Sequence, residues 1–218
     1  MRALLIAGGM VDVQWAGEFI KMYSYDRIIA VDGGLSAANL LSLTPDMIVG
    51  DFDSVKASLL SQYTDNANCE IVRLNPEKDD TDTQCAVTKA IEAGADEIHI
   101  LGGTGGRIDH MLSNIFMLKM AYEKGVRAVM YDRVNKISVI QGKTSIKKDN
   151  LYGRYISFIQ LEGPVKAVTL DGLKYRLNNF DIDTSKEYRM AVSNEFNGDT
   201  ATIDMAEGMF VMIEIGGE

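Results

Sequence analysis

"RIIAVDGGLSAANLLSLTPDMIVGD", residues 27 to 51, sets the grammar of the first half of the chain. A β-rich run, Arg27 to Val31, stops at Asp32, and Gly33-Gly34 then opens a stretch of helical character. A second apolar run, Met47-Ile48-Val49, stops at Gly50 and Asp51. Strand, helix and strand in succession predict parallel neighbours in one sheet. The pattern extends outward in both directions. "ALLIAGG" precedes it, and "EIVRLN", "EIHILGG" and "VRAVMYD" follow, separated by helical runs such as "TDTQCAVTKAIEAG" and "RIDHMLSNIFMLKMAYEKG".

The expected fold class is therefore α/β, with a Rossmann-like parallel sheet and helices on both faces over residues 1–133. Several of these strands end in Gly or Asp, and in such sheets ligands sit beyond the carboxyl ends of the strands. After Asn135 the pattern changes. "KISVIQG", "RYISFIQLEG", "VKAVTLDG", "LKYRL" and "MFVMIEIGG" alternate with period two, with turn residues every eight or so positions. Residues 134–218 are thus expected to form a smaller all-β domain, a sandwich or a partly open barrel.

Of the 218 residues 46% are apolar and only 3 are Pro, which argues for folded structure throughout. Against 22 Lys and Arg stand 31 Asp and Glu, a formal charge of −9, and no basic run exceeds Lys147-Lys148. That balance lacks the footprint of a nucleic-acid binder or of a protein bound to an anionic membrane. A phosphorylated ligand would need a divalent metal to bridge two negative partners. Cys69 and Cys85 lack CxxC spacing, and with two histidines they build neither a disulfide scaffold nor a zinc cluster. Reduced thiols point to the cytoplasm. The opening run has five apolar residues before Gly8-Gly9, too few for a signal peptide or a spanning helix.

Four clusters carry chemistry, each at an expected strand end or turn. In "AVDGG", Asp32 ends a strand, which a tight turn alone would explain. In "GDFDS", Asp51 and Asp53 would project from one face about 6.6 Å apart, a repulsion that a cation relieves. In "EKDDTDTQ", Thr81 and Gln84 fit a capping box, but Asp79, Asp80 and Asp82 exceed what capping requires and suggest a hard cation. In "LGGTGGRIDH", a glycine-rich turn with Arg107 beside it suits an anion. It lacks the GxxxxGK[ST] of a P-loop and the third glycine of the dinucleotide fingerprint. His110 alone reads as a helix-surface residue and His99 as structural. Carboxylates beside a phosphate cradle, with no evident nucleophile, describe metal-assisted phosphoryl-type transfer.

"AVDGG", "PDMIVGDFDSV", "KDDTD", "GGTGGRIDH", "GLKY" and "SNE" occur in the order and spacing of bacterial thiamine pyrophosphokinases, which the chain resembles over most of its length. The resemblance implies transfer of the β,γ-diphosphate of Mg²⁺-ATP to the hydroxyethyl oxygen of thiamine, giving thiamine diphosphate and AMP. It implies a homodimer, each subunit pairing an α/β domain with a β-sandwich, with active sites between subunits. Asp51, Asp53 and Asp82 become metal ligands, with Asp32 and Asp79 in the same acidic pocket. Gly102, Gly103, Thr104, Gly105, Gly106 and Arg107 become the ATP phosphate site, lined by Asp109, His110 and Asn114. Tyr175 would stack on thiamine, and Ser193 and Asn194 would hydrogen-bond its aminopyrimidine. Two rivals stand beside this reading: a Rossmann-type enzyme acting on a nucleotide-sugar or dinucleotide, and a non-catalytic thiamine or nucleotide sensor.

Overall fold

The computed structural model describes residues 1–64, 68–75, 77, 80–187 and 191–216. The chain divides into two compact units, Met1–Arg133 and Val134–Glu218. Unit 1 runs β1 (Arg2–Ile6), α1 (Val13–Lys21), β2 (Arg27–Val31), α2 (Gly34–Leu40), β3 (Met47–Gly50) and α3 (Ala57–Thr64). It continues with β4 (Glu70–Arg73), α4 (Asp82–Glu92), β5 (Glu97–Leu101), α5 (Ile108–Glu123) and β6 (Arg127–Tyr131). All six strands are parallel, in the order β4-β3-β2-β1-β5-β6. The order reverses between β1 and β5, because the chain builds outward from β1 to β4 and then returns to add β5 and β6.

The near-continuous burial of β1, β3 and β5 explains why these strands read as apolar runs instead of alternating. The helices cover them with small and apolar residues: Ala16 and Phe19 of α1, Leu35 and Ala38 of α2, Ala86 and Ala90 of α4. Side chains alternate across β5, so His99 faces α1 while Ile98 and Ile100 point the other way. Gly34 lets α2 start directly against the end of β1, since a Cβ there would fall 2.0 Å from the Ile6 carbonyl oxygen. No helix among the described residues is long and apolar enough to cross a membrane.

Unit 2 contains β7 (Asn135–Ile140), β8 (Thr144–Lys147), a 3-10 turn (Lys148–Asn150), β9 (Tyr155–Asp171), β10 (Leu177–Ile182), β11 (Ala191–Glu195), β12 (Thr200–Asp204) and β13 (Glu207–Ile215). Here the sequence reading needs correction. "RYISFIQLEG" and "VKAVTLDG" form one 17-residue strand, β9, not two. Gly163, at φ 53°, and Pro164 produce an irregularity in the pairing with β13 instead of a chain reversal. Before that point β9 pairs with β13 and β11; beyond it β9 pairs with β10 and β12, and keeps one pair with β13, Lys166 opposite Glu207. The inward side chains, among them Ile156, Phe158, Val168, Leu170, Ile203 and Phe210, form one apolar cluster. "LKYRL" is also not one strand: Leu173 bridges to Phe196, the residues after it form a bend, and Leu177 opens β10 opposite Leu170.

Candidate active site

Asp32 follows β2 with φ 48°, a left-handed conformation that Asp tolerates better than most residues. Its carboxylate reaches the loop after β3, where Oδ1 accepts from the Phe52 N–H at 3.1 Å and Oδ2 from the Ser54 hydroxyl at 3.0 Å. Gly50 makes the approach available, since a Cβ there would lie 2.9 Å from Asp32 Oδ1. The Asp51 carboxylate accepts from the Asp53 N–H at 3.1 Å, and Phe52 between them turns inward at φ 68° beneath the Arg73 guanidinium. As a result Asp32, Asp51 and Asp53 each offer an oxygen within 4.8 Å of the others. Burial raises the pKa of Asp32, the charges of Asp82 and Asp51 raise it further, and the bonds from Ser54 and Phe52 only partly offset this. Three clustered carboxylates with repulsion left over suit a hard divalent cation with oxygen ligands.

Asp82 is the first residue of α4 and lies outside this three-carboxylate group, acting on Asp32 through its charge. Thr81 caps α4 by accepting from the Gln84 N–H at 3.1 Å. The Gln84 side chain does not complete the box; it donates to the Asp80 carboxylate. Asp79 lies outside the described residues.

The glycine turn follows β5. Gly102 has φ 70°, and a Cβ on it would fall 2.5 Å from the Ala7 carbonyl oxygen, so the turn closes directly onto the loop after β1. Gly9 N–H donates to the Gly102 carbonyl at 3.1 Å, and the buried Asn114 donates from Nδ2 to the Gly103 carbonyl at 3.0 Å. Asn114 therefore holds the turn in shape from behind. Gly103 is buried, Thr104 and Gly105 are partly buried, and Gly106 is exposed. Arg107 forms a bidentate pair with Asp109, at 3.2 and 2.6 Å, which holds the Asp109 carboxyl down at about 2. Both side chains are exposed, as is His110 in the first turn of α5.

In unit 2, Tyr175 is 58% exposed on the bend between Leu173 and β10. Asn194 is 1% exposed. Its Oδ1 accepts from the Tyr175 N–H at 2.9 Å and the Glu195 N–H at 3.0 Å, and its Nδ2 donates to the Tyr175 carbonyl at 2.8 Å. In this arrangement the amide positions Tyr175, a role that the sequence reading did not assign. Ser193 is exposed at φ 52°, its N–H donating to Ser157 Oγ at 2.9 Å. The Lys174 ammonium lies 5.5 Å from the Tyr175 ring centroid and 3.0 Å from Glu195.

Sequence reasoning also missed Ser54 and Arg73, which brace Asp32 and Phe52. Ser54 stands within the quoted "GDFDS", but its bond to Asp32 depends on β2 and β3 being neighbours.

A parallel sheet with a carboxylate cluster and a glycine turn beyond its strand ends belongs to the α/β class and suits a phosphorylated ligand held with a hard cation. Two family profiles match: "Thiamin pyrophosphokinase, catalytic domain" over residues 21–130 and "Thiamin pyrophosphokinase, vitamin B1 binding domain" over residues 143–210. The chain is 34% identical over 186 residues to the thiamine pyrophosphokinase of Bacillus subtilis, covering 85% of each protein. Its fold matches the crystal structure of thiamine pyrophosphokinase from Bacillus subtilis with a TM-score of 0.86, at 28% identity over 100% of both chains. The enzyme from Geobacillus thermodenitrificans matches at 0.82, with 26% identity, over 100% of this chain and 98% of that one. The chain belongs to the thiamin pyrophosphokinase family.

Proposed function

We propose that the Asp32–Asp51–Asp53 group and the Gly102–Gly106 turn form the centre at which the family's reaction runs. The chain is a thiamine diphosphokinase: it transfers diphosphate from ATP to the hydroxyl of thiamine, leaving AMP. The thiamine hydroxyl gives up its proton to solvent as its oxygen forms a bond to the β-phosphorus, the bond from that phosphorus to the oxygen bridging to the α-phosphorus breaks, and AMP departs with that oxygen. The observation that carries the site assignment is the convergence of three carboxylates within 4.8 Å, one of them with raised proton affinity.

Asp32, Asp51 and Asp53 would hold Mg²⁺, with Asp82 adding negative charge nearby. A bound Mg²⁺ supplies charge neutralisation and alignment of the phosphates. Backbone N–H groups of the glycine turn receive phosphate oxygens, and Arg107 adds a positive charge when it turns from Asp109. Asp109 and His110 line the mouth, and Asn114 keeps the turn open. Unit 1 serves as the Rossmann-like ATP and metal domain and unit 2 as the thiamine-binding sandwich. There Tyr175 offers its ring to the cationic thiazolium, Ser193 faces the aminopyrimidine and Asn194 fixes the tyrosine. The working form is a homodimer with active sites between subunits, and the compartment is the cytoplasm, consistent with the thiols of Cys69 and Cys85.

Family membership disfavours the nucleotide-sugar and sensor readings. Incubation with ATP, Mg²⁺ and thiamine, followed by chromatography, tests the proposal: AMP and thiamine diphosphate should appear in equal amounts, and binding without product would overturn it.

A further inference from the structure

Lys174 stands between the Tyr175 ring and a carboxylate. Its ammonium lies 5.5 Å from the ring centroid, within reach of a cation–π contact, and 3.0 Å from Glu195 Oε1. The main chain sets this arrangement. The Lys174 N–H donates to the Glu195 carbonyl at 2.8 Å, and the adjoining residues, Leu173 and Phe196, form a bridge. Asn194, beside Glu195 on β11, fixes the Tyr175 backbone through bonds of 2.9 and 2.8 Å. Ammonium, ring and carboxylate therefore meet across a paired backbone. Glu195 also takes a second cation, with Arg154 Nη2 3.4 Å from Oε2. Arg154 has a ring of its own, Tyr155 at 5.0 Å, which leaves Lys174 as the cation on Tyr175. The bond from Lys174, with the charges of Lys174 and Arg154, holds the Glu195 carboxyl below its ordinary range despite some burial. Among these three side chains, two cations on one carboxylate leave an excess positive charge beside Tyr175.

That excess opposes the substrate. Under the diphosphate-transfer reading, on which this inference rests, Tyr175 offers its ring to the cationic thiazolium of thiamine. Like charges at contact distance repel, so one ring face holds one cation at a time. The ammonium has to leave the face when the thiazolium arrives, and Glu195, already in contact with it, receives it without loss of its ion pair. We propose that Lys174 is an internal competitor for thiamine: its ammonium holds the Tyr175 face, and the thiazolium displaces it onto Glu195. Lys174 thereby sets how tightly thiamine binds, and Glu195 sets how readily the lysine yields.

The test is the Kd of thiamine, by calorimetry with Mg²⁺ present, beside assays of AMP and thiamine diphosphate formation. Lys174→Met keeps the stem and removes the charge. It should tighten thiamine about three- to fivefold, the size of an exposed cation–π contact, with the KM for ATP unmoved. Lys174→Arg, which keeps a cation beside the ring, should bind thiamine as the wild type does. Glu195→Gln deprives the ammonium of its second position and should weaken thiamine, by more in the wild-type background than beside Lys174→Met. In Tyr175→Ala no face is contested, so adding Lys174→Met should change nothing. A gain from Lys174→Met that persists without the ring is a long-range charge effect and overturns the proposal; so does unchanged or weaker thiamine binding in Lys174→Met alone. Either failure leaves diphosphate transfer intact as long as AMP and thiamine diphosphate form. The expected Kd shifts without any transfer to thiamine would uphold the displacement and overturn diphosphate transfer.

Discussion

The Asp32 carboxylate accepts two hydrogen bonds and still has a raised proton affinity, because burial and the charges of Asp82 and Asp51 outweigh them. The folded chain thus holds repulsion that a cation removes. Asp51→Asn and Asp53→Asn should each lower turnover at least 100-fold, about 3 kcal/mol of transition-state stabilisation. The metal-free melting temperature should stay level or rise, since a like charge is lost. Steady-state kinetics beside thermal melts check both halves; normal turnover in either variant removes that residue from the centre. Gly50→Ala should act on the same group through sterics, its Cβ 2.9 Å from Asp32 Oδ1 displacing the carboxylate and lowering kcat while the apolar core stays intact. The Asp51–Asp53 pair was legible from its spacing, but strand alternation is not what joins the two acids: Phe52 at φ 68° makes a turn between them, and the Asp53 N–H donates to the Asp51 carboxylate. That Asp32 joins them was not legible from its own neighbourhood, since it requires the register Val31 against Val49 on neighbouring strands.

Elements carry two further expectations. His99 of β5 is fully buried among Phe19, Tyr23, Tyr25 and Tyr131, with Tyr25 Oη 2.9 Å from its Nδ1 and Glu97 Oε1 3.4 Å from its Nε2. Burial lowers its pKa from 6.5 to about 4, so the folded chain keeps the imidazole neutral. Protonation favours the unfolded chain, so this contribution is complete above pH 6.5 and is lost as pH falls toward 4. Between pH 7 and pH 4 the wild type should lose up to about 3 kcal/mol more stability than His99→Gln, measured by urea unfolding. Equal losses would show that another group carries the acid sensitivity. In unit 2, Asn194→Ala should raise the KM for thiamine and also cost about 1–3 kcal/mol of stability, because it strands the Tyr175 and Glu195 N–H groups. Tyr175→Ala should raise that KM alone, its ring being exposed. The strand–helix alternation of unit 1 was plain in the sequence, because buried parallel strands need unbroken apolar runs. Gly163-Pro164 misled because a bulge and a turn draw on the same residues, and only the pairing of β9 with β13 separates them.

At the scale of the whole molecule, the acids and the glycine turn belong to the first 133 residues, and Tyr175, Ser193 and Asn194 to the remainder. If two copies share each site, Asp53→Asn and a Tyr175→Ala/Asn194→Ala variant, assayed with thiamine near the wild-type KM so that each alone has little activity, should complement each other when refolded together. Random pairing makes about half the dimers mixed, each with one intact site, so activity should return to about one quarter of wild type. Mixed dimers verified by mass but inactive would assign each site to a single copy. The net charge of −9 was legible at once and motivates the proposal that a cation helps this acidic chain to hold ATP. The most direct measurement of diphosphate transfer follows the label from ATP carrying phosphorus-32 in either the α or the γ position. With thiamine and Mg²⁺, the γ label should appear in thiamine diphosphate and the α label in AMP; γ label in orthophosphate or in a monophosphate ester, with ADP as co-product, would contradict transfer of the diphosphate as one unit.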